Sequence, residues 1–242
     1  PSNPRGEATP TKASIVGATG YTGAVLTDIL SGHPEVSVLA LTSRSYEGQT
    51  VPQVFPGLRV KGVYAQYDLE VVADSDVVFV CYPHAESHRV VAELVDSGHR
   101  VIDLSADFRL KALESYRQWY GFDHPRPDLV QEAVFGLPER YRKQTEGARL
   151  VANPGCYPTA MLLSVLPMAE EIDAGSVVVD AKSGVSGAGR SVSEKTHFCT
   201  VAGNFSAYSE VGHRHTAEMV QELGLAAGKS MPLSFTPHLL PV

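Results

Sequence analysis

Apolar positions along the chain recur in two spacings. Ala13-Ser14-Ile15-Val16 is a short apolar run that ends in a glycine-rich turn and predicts a buried strand. Residues 21–32 predict a helix, with Val25, Leu26, Ile29 and Leu30 on one face. The run 36–42 (VSVLALT) predicts the next strand. Residues 77–81 (VVFVC) are apolar without interruption, as a strand covered on both faces must be. A helix at about 86–97 and a strand at 100–104 (RVIDL) continue the alternation. Strands alternating with helices mean βαβ units and a parallel sheet.

Near residue 120 the texture changes to a turn-rich stretch, GFDHPRPDLV. Beyond VANPG the pattern predicts a helix at 158–171, a strand at 176–182, a Gly/Ser loop at 183–191 and a helix at 215–223. The end, MPLSFTPHLLPV, predicts a strand running into a further strand. The expected fold class is α/β: an N-terminal Rossmann-type parallel-sheet domain plus an α+β catalytic and oligomerisation domain. The expected division is a flexible tail over 1–12, a nucleotide-binding domain over 13–152 and a catalytic domain over 153–242 that lacks closing elements. The chain opens on Pro1 rather than Met, in a polar, Pro-rich stretch that predicts a processed terminus and no secretory signal.

Composition narrows the partners. With 20 Lys+Arg against 27 Asp+Glu the formal net charge is −7, and 43% of residues are hydrophobic, enough for a packed core. The acidic balance and the lack of a basic run argue against nucleic acid. No apolar stretch reaches the roughly 18–20 residues of a membrane helix. Cys81, Cys156 and Cys199 are too few and too scattered for a disulfide framework or a zinc site, which fits a reducing, cytoplasmic compartment.

Gly17-Ala18-Thr19-Gly20-Tyr21-Thr22-Gly23 follows the first strand and opens the first helix. Glycines there let the backbone turn tightly and approach a pyrophosphate at the helix N-terminus. The spacing is GxxGxxG, with Ala18 where the usual fingerprint has its first glycine. An NAD site calls for an acid about 20 residues on. Leu41-Thr42-Ser43-Arg44-Ser45 offers none there, and instead supplies a guanidinium and hydroxyls that suit a 2′-phosphate, so NADP(H) is the expected cofactor.

Asn153-Pro154-Gly155-Cys156-Tyr157-Pro158 precedes the apolar helix, with Pro158 suited to the first helical position. Cys156 then lies just before a helix N-terminus, where the dipole favours a thiolate. Cys81 reads as core, and Cys199 as structural. A cysteine nucleophile needs a base or cationic partner. Of nine histidines, the cluster Gly212-His213-Arg214-His215-Thr216-Ala217-Glu218 stands out, ahead of the amphipathic Met219, Val220 and Leu223. His84, His88, His99 and His124 read as loop or helix-face residues. Alternating histidines also suit a metal, but no further ligand set accompanies them and no metal is predicted.

Together GATGYTG, DLSADFR at 103–109, NPGCYPTA at 153–160, KSGVSGAGR at 182–190 and GHRHTAE at 212–218 resemble the N-acetyl-gamma-glutamyl-phosphate reductase family, in that family's order and over nearly the whole chain. The resemblance implies an NADP-binding domain, an α+β domain that also forms a homodimer or homotetramer contact, and a small acyl phosphate substrate on the route to arginine. It implies Cys156 as nucleophile and the His213/His215 pair as acid/base, with His215 favoured. Arg109 is implied as a phosphate-binding arginine, with a structural salt bridge as its alternative. Asn153 and Glu218 fall on the substrate side, Glu218 orienting either histidine or substrate. Ser183, Gly184, Ser186 and Gly187 are implied to approach the nicotinamide. Family chains are longer than this one. Competing readings are a related dehydrogenase for aspartyl or aminoadipyl substrates, a nucleotide-binding cysteine hydrolase, and a regulatory module with a dead site.

Overall fold

A computed structural model describes residues 9–209 and 212–242. The chain divides into two compact units, Pro1–Ser105 and Ala106–Val242.

The first unit runs β1 (Thr11–Val16), α1 (Tyr21–Ser31), β2 (Val36–Thr42), α2 (Val51–Val54), β3 (Tyr64–Ala65), α3 (Leu69–Val72), β4 (Val77–Val80), α4 (Ser87–Asp96) and β5 (Val101–Asp103). Its strands lie in the order β3-β2-β1-β4-β5, all parallel. β1 is flanked by β2 on one side and β4 on the other, so the sheet's switch point falls at its carboxyl end, where doubly wound sheets take their ligands. The core here gathers Ala13, Ile15, Ala18, Leu30, Leu41, Val51 and Tyr64.

Two expectations change in this unit. The expected tail lies outside the described residues up to residue 8, and Thr11 and Lys12 belong to β1. Their amides are claimed by the Glu35 carbonyl at 2.9 Å and the Asp76 carboxylate at 2.7 Å. On α1 the buried face is Gly23, Ala24, Thr27 and Leu30, while Val25 and Ile29 are exposed. The helix presses so closely on the preceding turn that small residues must face inward. A Cβ added to Gly23 would lie 2.6 Å from Ala18 Cα and 2.7 Å from the Gly17 carbonyl oxygen.

The second unit runs α5 (Glu114–Tyr120), α6 (Pro127–Glu132), β6 (Val134–Phe135), α7 (Pro138–Gly147), β7 (Leu150–Ala152), α8 (Cys156–Val165), β8 (Val177–Gly184), α9 (Phe198–Val201), β9 (Ser206–Ala207), α10 (His215–Ala227) and β10 (Leu233–Leu240). β6 and β7 pair in parallel, and a small mixed sheet has the order β8-β10-β9, with β9 antiparallel. α8 and α10 pack on each other, and Tyr157, Met161, Leu162, Met219, Leu223, Met231 and Phe235 form the core of the unit.

Several elements differ from the sequence reading. The turn-rich stretch near residue 120 is followed by short helices and by β6 and β7. α8 starts at Cys156 and ends at Val165, because Pro167 cannot continue the helix and the chain passes into a 3-10 turn at Leu166–Met168. β8 extends through Gly184, and α10 runs on to Ala227. The C-terminal segment is one strand through Pro237, tolerated because β9 pairs with β10 only at Leu239 and His238. The compact division falls at Ser105 rather than near 152, because α10 holds the segment that follows. Gln221 accepts the Lys111 amide at 2.8 Å and donates to the Arg109 carbonyl at 3.1 Å.

The backbone contact at Gly23 gives a stability test. Gly23→Ala should lower the unfolding free energy by about 1–3 kcal/mol, since only backbone atoms are there to yield. Gly20→Ser, at a cap with nothing within 4 Å, should change it by less than about 0.5 kcal/mol in urea unfolding.

Candidate active site

Cys156 sits on a turn that a buried ion pair holds. β7 ends at Ala152, Asn153-Pro154-Gly155 turns the chain, and Gly155 caps α8 in an extended conformation (φ −65°, ψ 157°). Cys156 is therefore the first helical residue itself, and it is exposed. Pro158 is the third, where its missing amide is no loss, since helix N-terminal amides have no intrahelical partner.

Glu218 lies beneath the turn, fully buried. One carboxylate oxygen accepts the Gly155 amide at 2.9 Å, and the other accepts Arg109 Nη1 at 3.1 Å. Arg109 Nε donates to the Asn153 carbonyl at 2.6 Å. Arg109 is only 7% exposed, and its guanidinium makes a buried salt bridge with Glu218, the alternative weighed for it beside a phosphate-binding role. Asn153 enters the same network through its backbone, while its side chain donates to the Pro154 carbonyl at 3.3 Å. Glu218 thus ties the Gly155 amide to the Arg109 guanidinium.

The two histidines differ in setting. His215 opens α10 and is buried, its ring so close to the turn that a Cβ on Gly155 would lie 2.7 Å from Nε2. Its Nε2 is 3.9 Å from Glu218, and its buried Nδ1 has no hydrogen-bond partner. His213 is half-buried, and its Nδ1 accepts the His215 amide at 3.1 Å, just ahead of α10. Burial, then the Arg214 charge, pushes His213 down to about 4. Burial, followed by His213, Arg109 and Arg214, lowers His215 further. Both settings favour the neutral imidazole over the charged one.

Two tyrosines complete the cluster that sequence reading missed. The Tyr157 and Tyr208 hydroxyls are 3.0 Å apart, and Tyr157 also donates to the His238 carbonyl at 3.3 Å. Burial, the Tyr157 hydrogen bond and the nearby Cys156 keep Tyr208 protonated, its pKa above the ordinary range. The Tyr157 ring stands edge-on to both His213 and His215. Tyr157 was signalled by its place beside Cys156; Tyr208 had no such signal. Ser183 and Gly184 end β8, and Ser186 and Gly187 lie in the following turn. Gly184 presses on the Val242 carbonyl and Gly187 on the Ser183 hydroxyl, where added Cβ atoms would lie at 2.6 and 2.8 Å.

The glycine turn of the first unit is shaped for a pyrophosphate. Gly17 has φ +81°, and Tyr82 and the Cys81 carbonyl crowd the place of its Cβ. Gly23 allows the helix contact described above. Gly20 caps α1 in an extended conformation, with open space where a Cβ would lie. Tyr21 and Thr22 are exposed at that helix start. Thr19 and Ser43 hydroxyls meet at 2.9 Å. Ser43 is buried and accepts the Ser45 and Tyr46 amides at 3.2 Å, so it shapes the loop and does not face a phosphate. Arg44 is exposed, its guanidinium 4.0 Å above the Tyr82 ring and its Nη1 2.6 Å from Glu86. The acid missing from the end of β2 arrives from the start of α4.

A family model described as the semialdehyde dehydrogenase NAD binding domain matches residues 12–148, and one described as the semialdehyde dehydrogenase dimerisation domain matches 156–242. The chain belongs to the semialdehyde dehydrogenase family. It is 47% identical over 236 residues to the N-acetyl-gamma-glutamyl-phosphate reductase of Pelotomaculum thermopropionicum, covering 96% of this chain and 68% of that protein. It is 48% identical over 238 residues to the reductase of the same name from Ectopseudomonas mendocina, covering 96% and 69%. In fold it is similar to aspartate semialdehyde dehydrogenase II of Vibrio cholerae, with a TM-score of 0.69 at 18% identity over 97% of this chain and 71% of that one. The Candida albicans aspartate semialdehyde dehydrogenase, solved with NADP, gives a TM-score of 0.67 at 18% identity over 97% and 68%. The Rossmann-type domain, the second domain with its small mixed sheet, and an NAD(P) cofactor are thus properties of the family to which the sequence pattern pointed.

The three thiols of this chain have distinct settings. Cys81 is covered, and desolvation, then the Asp103 charge, pushes its pKa up to about 12. Cys199 is exposed on the single-turn α9, with its amide bonded to His197 Nδ1 at 3.3 Å. Only Cys156 joins exposure to a multi-turn helix start. Brief iodoacetamide treatment near neutral pH, followed by mass mapping, should label Cys156 first, Cys199 more slowly and Cys81 last. Preferential labelling of Cys199 would remove the electrostatic case for Cys156.

Proposed function

We propose that this chain catalyses NADPH-dependent reduction of N-acetyl-L-glutamyl 5-phosphate to N-acetyl-L-glutamate 5-semialdehyde and phosphate, through a thioester on Cys156. The reaction is the one that the names of its relatives carry. The observation supporting it most directly is an exposed cysteine at a helix start whose preceding residue lies against a buried histidine with an unpartnered ring nitrogen. The glycine turn and Arg44 fit the pyrophosphate and 2′-phosphate of NADP(H). NADPH supplies the hydride when bound.

The protein's own steps follow from these positions. Cys156 attacks the acyl carbon, forming the S–C bond as the C–O bond to phosphate breaks. His215 takes the thiol proton, which leaves with the phosphate. At the aldehyde level of oxidation the sulfur-bound carbon carries an alkoxide oxygen. As its electron pair re-forms the C=O bond, the S–C bond breaks and the aldehyde departs, and the thiolate left on Cys156 regains a proton from solvent by way of the same imidazole. Tyr208 is a second hydroxyl within electrostatic reach of Cys156. His213 supports His215 by accepting its amide.

The functional division near 152 is supported by the family-model limits at 148 and 156. A homodimer or homotetramer is supported by the dimerisation description of the second model. No described helix is long and apolar enough to cross a membrane. The three unpaired cysteines support a cytosolic location.

The test is NADPH formation from N-acetylglutamate semialdehyde, NADP and phosphate. Cys156→Ser should abolish turnover with NADP affinity retained. His215→Asn should reduce kcat by about 10²–10⁴-fold, and His213→Asn by no more than about tenfold. Substantial activity in Cys156→Ser, or a clear preference for aspartate semialdehyde, would overturn the proposal.

A further inference from the structure

Glu86 has no role in the function proposed above, yet its carboxylate lies 2.6 Å from Arg44, the cation expected to meet a 2′-phosphate. The pair joins residues 42 positions apart, from the end of β2 and the start of α4. Both side chains are half-exposed, at 55% and 50%. The guanidinium is stacked on Tyr82, which limits where it can present its remaining donors. Arg44 is thus presented to solvent with its charge already answered.

We infer that Glu86 sets the cofactor preference of this protein by competing with the 2′-phosphate for Arg44. The inference rests on the reading of the first unit as an NADP(H) site. A 2′-phosphate dianion that engages Arg44 must displace or crowd the carboxylate, and two anions then share one guanidinium. The displacement is cheap, because an exposed ion pair is worth little and because Glu86 sits at the N-cap of α4, where the helix dipole favours its charge without Arg44. A ribose 2′-hydroxyl meets no such opposition, and a carboxylate is the group that accepts it in NAD sites. Glu86 therefore lowers the preference for a phosphorylated ribose, and the native site discriminates less than Arg44 alone would.

The test uses 2′,5′-ADP and 5′-AMP, which report on the adenosine end and are independent of catalysis. Binding of each to the full chain is measured by calorimetry for wild type, Glu86→Gln, Arg44→Ala and the double variant. Glu86→Gln should tighten 2′,5′-ADP about fivefold, the scale of one exposed ion pair, and move 5′-AMP less than about twofold. In the Arg44→Ala background most of that gain should vanish. Weaker or unchanged 2′,5′-ADP binding in Glu86→Gln, while wild type still favours 2′,5′-ADP through Arg44, would overturn the role of Glu86 alone. An equal gain with and without Arg44 would do the same. A wild type that binds the two probes equally, with no loss in Arg44→Ala, would overturn the NADP(H) reading beneath it.

Discussion

A carboxylate with no access to water fixes the geometry of the second unit. Glu218 joins the amide before Cys156, the guanidinium of Arg109 and, at longer range, the ring of His215. Burying a charge is costly unless it is paired and hydrogen-bonded, and removing one partner of such a pair typically costs about 3–5 kcal/mol. The energy of the pair is therefore tied to the turn: the Asn153-Pro154-Gly155 backbone cannot shift without stranding a charge. α10 carries His215, Glu218, Gln221 and Glu222 along its inner side. Gln221 grips Arg109 and Lys111 through their backbones, and Glu222 accepts Tyr141 at 2.6 Å. One helix thereby registers the Cys156 turn, the arginine strut and the imidazole against each other.

The first unit solves a different problem with small residues. Its turn must pass close to β4 and to α1. Gly17 answers the crowding by Tyr82 and Cys81, Gly23 the contact with Ala18, and Gly20 leaves the helix start clear. The neighbouring loop is braced from within: Ser43 collects two amides and meets Thr19, which leaves Arg44 and Ser45 facing outward. The division of labour is physical. The Thr19 and Ser43 hydroxyls shape the loop, and the outward guanidinium of Arg44 meets Glu86.

Much of this was legible because the chemistry is contiguous in sequence. GATGYTG, NPGCYPTA and GHRHTAE each hold their residues within a few positions, and the alternating strands and helices of residues 13–104 are strongly patterned. What escaped depends on long separations or on close packing. The Arg109–Glu218 pair spans 109 positions and Arg44–Glu86 spans 42, and neither partner announces the other. Of the inner face of α1 only Leu30 was read, because closeness, not hydrophobicity, selects Gly23 and Thr27. The helices between residues 114 and 147 are short and carry few buried residues, so their periodicity is weak. Pro167 was a visible stop signal that the apolar run of α8 masked.

The account turns on Arg109 being a strut of the Cys156 turn and not a clamp for phosphate. Steady-state kinetics of Arg109→Lys with phosphate as the varied substrate, N-acetylglutamate semialdehyde and NADP being saturating, separates the two most directly. Lysine keeps the charge beside Glu218 but loses the planar fork that reaches Asn153 as well. The strut predicts a kcat reduced by about tenfold or more with the KM for phosphate moved by less than about threefold, together with slower alkylation of Cys156. A KM for phosphate raised by about tenfold or more, with kcat and Cys156 alkylation at wild-type rates, would contradict it.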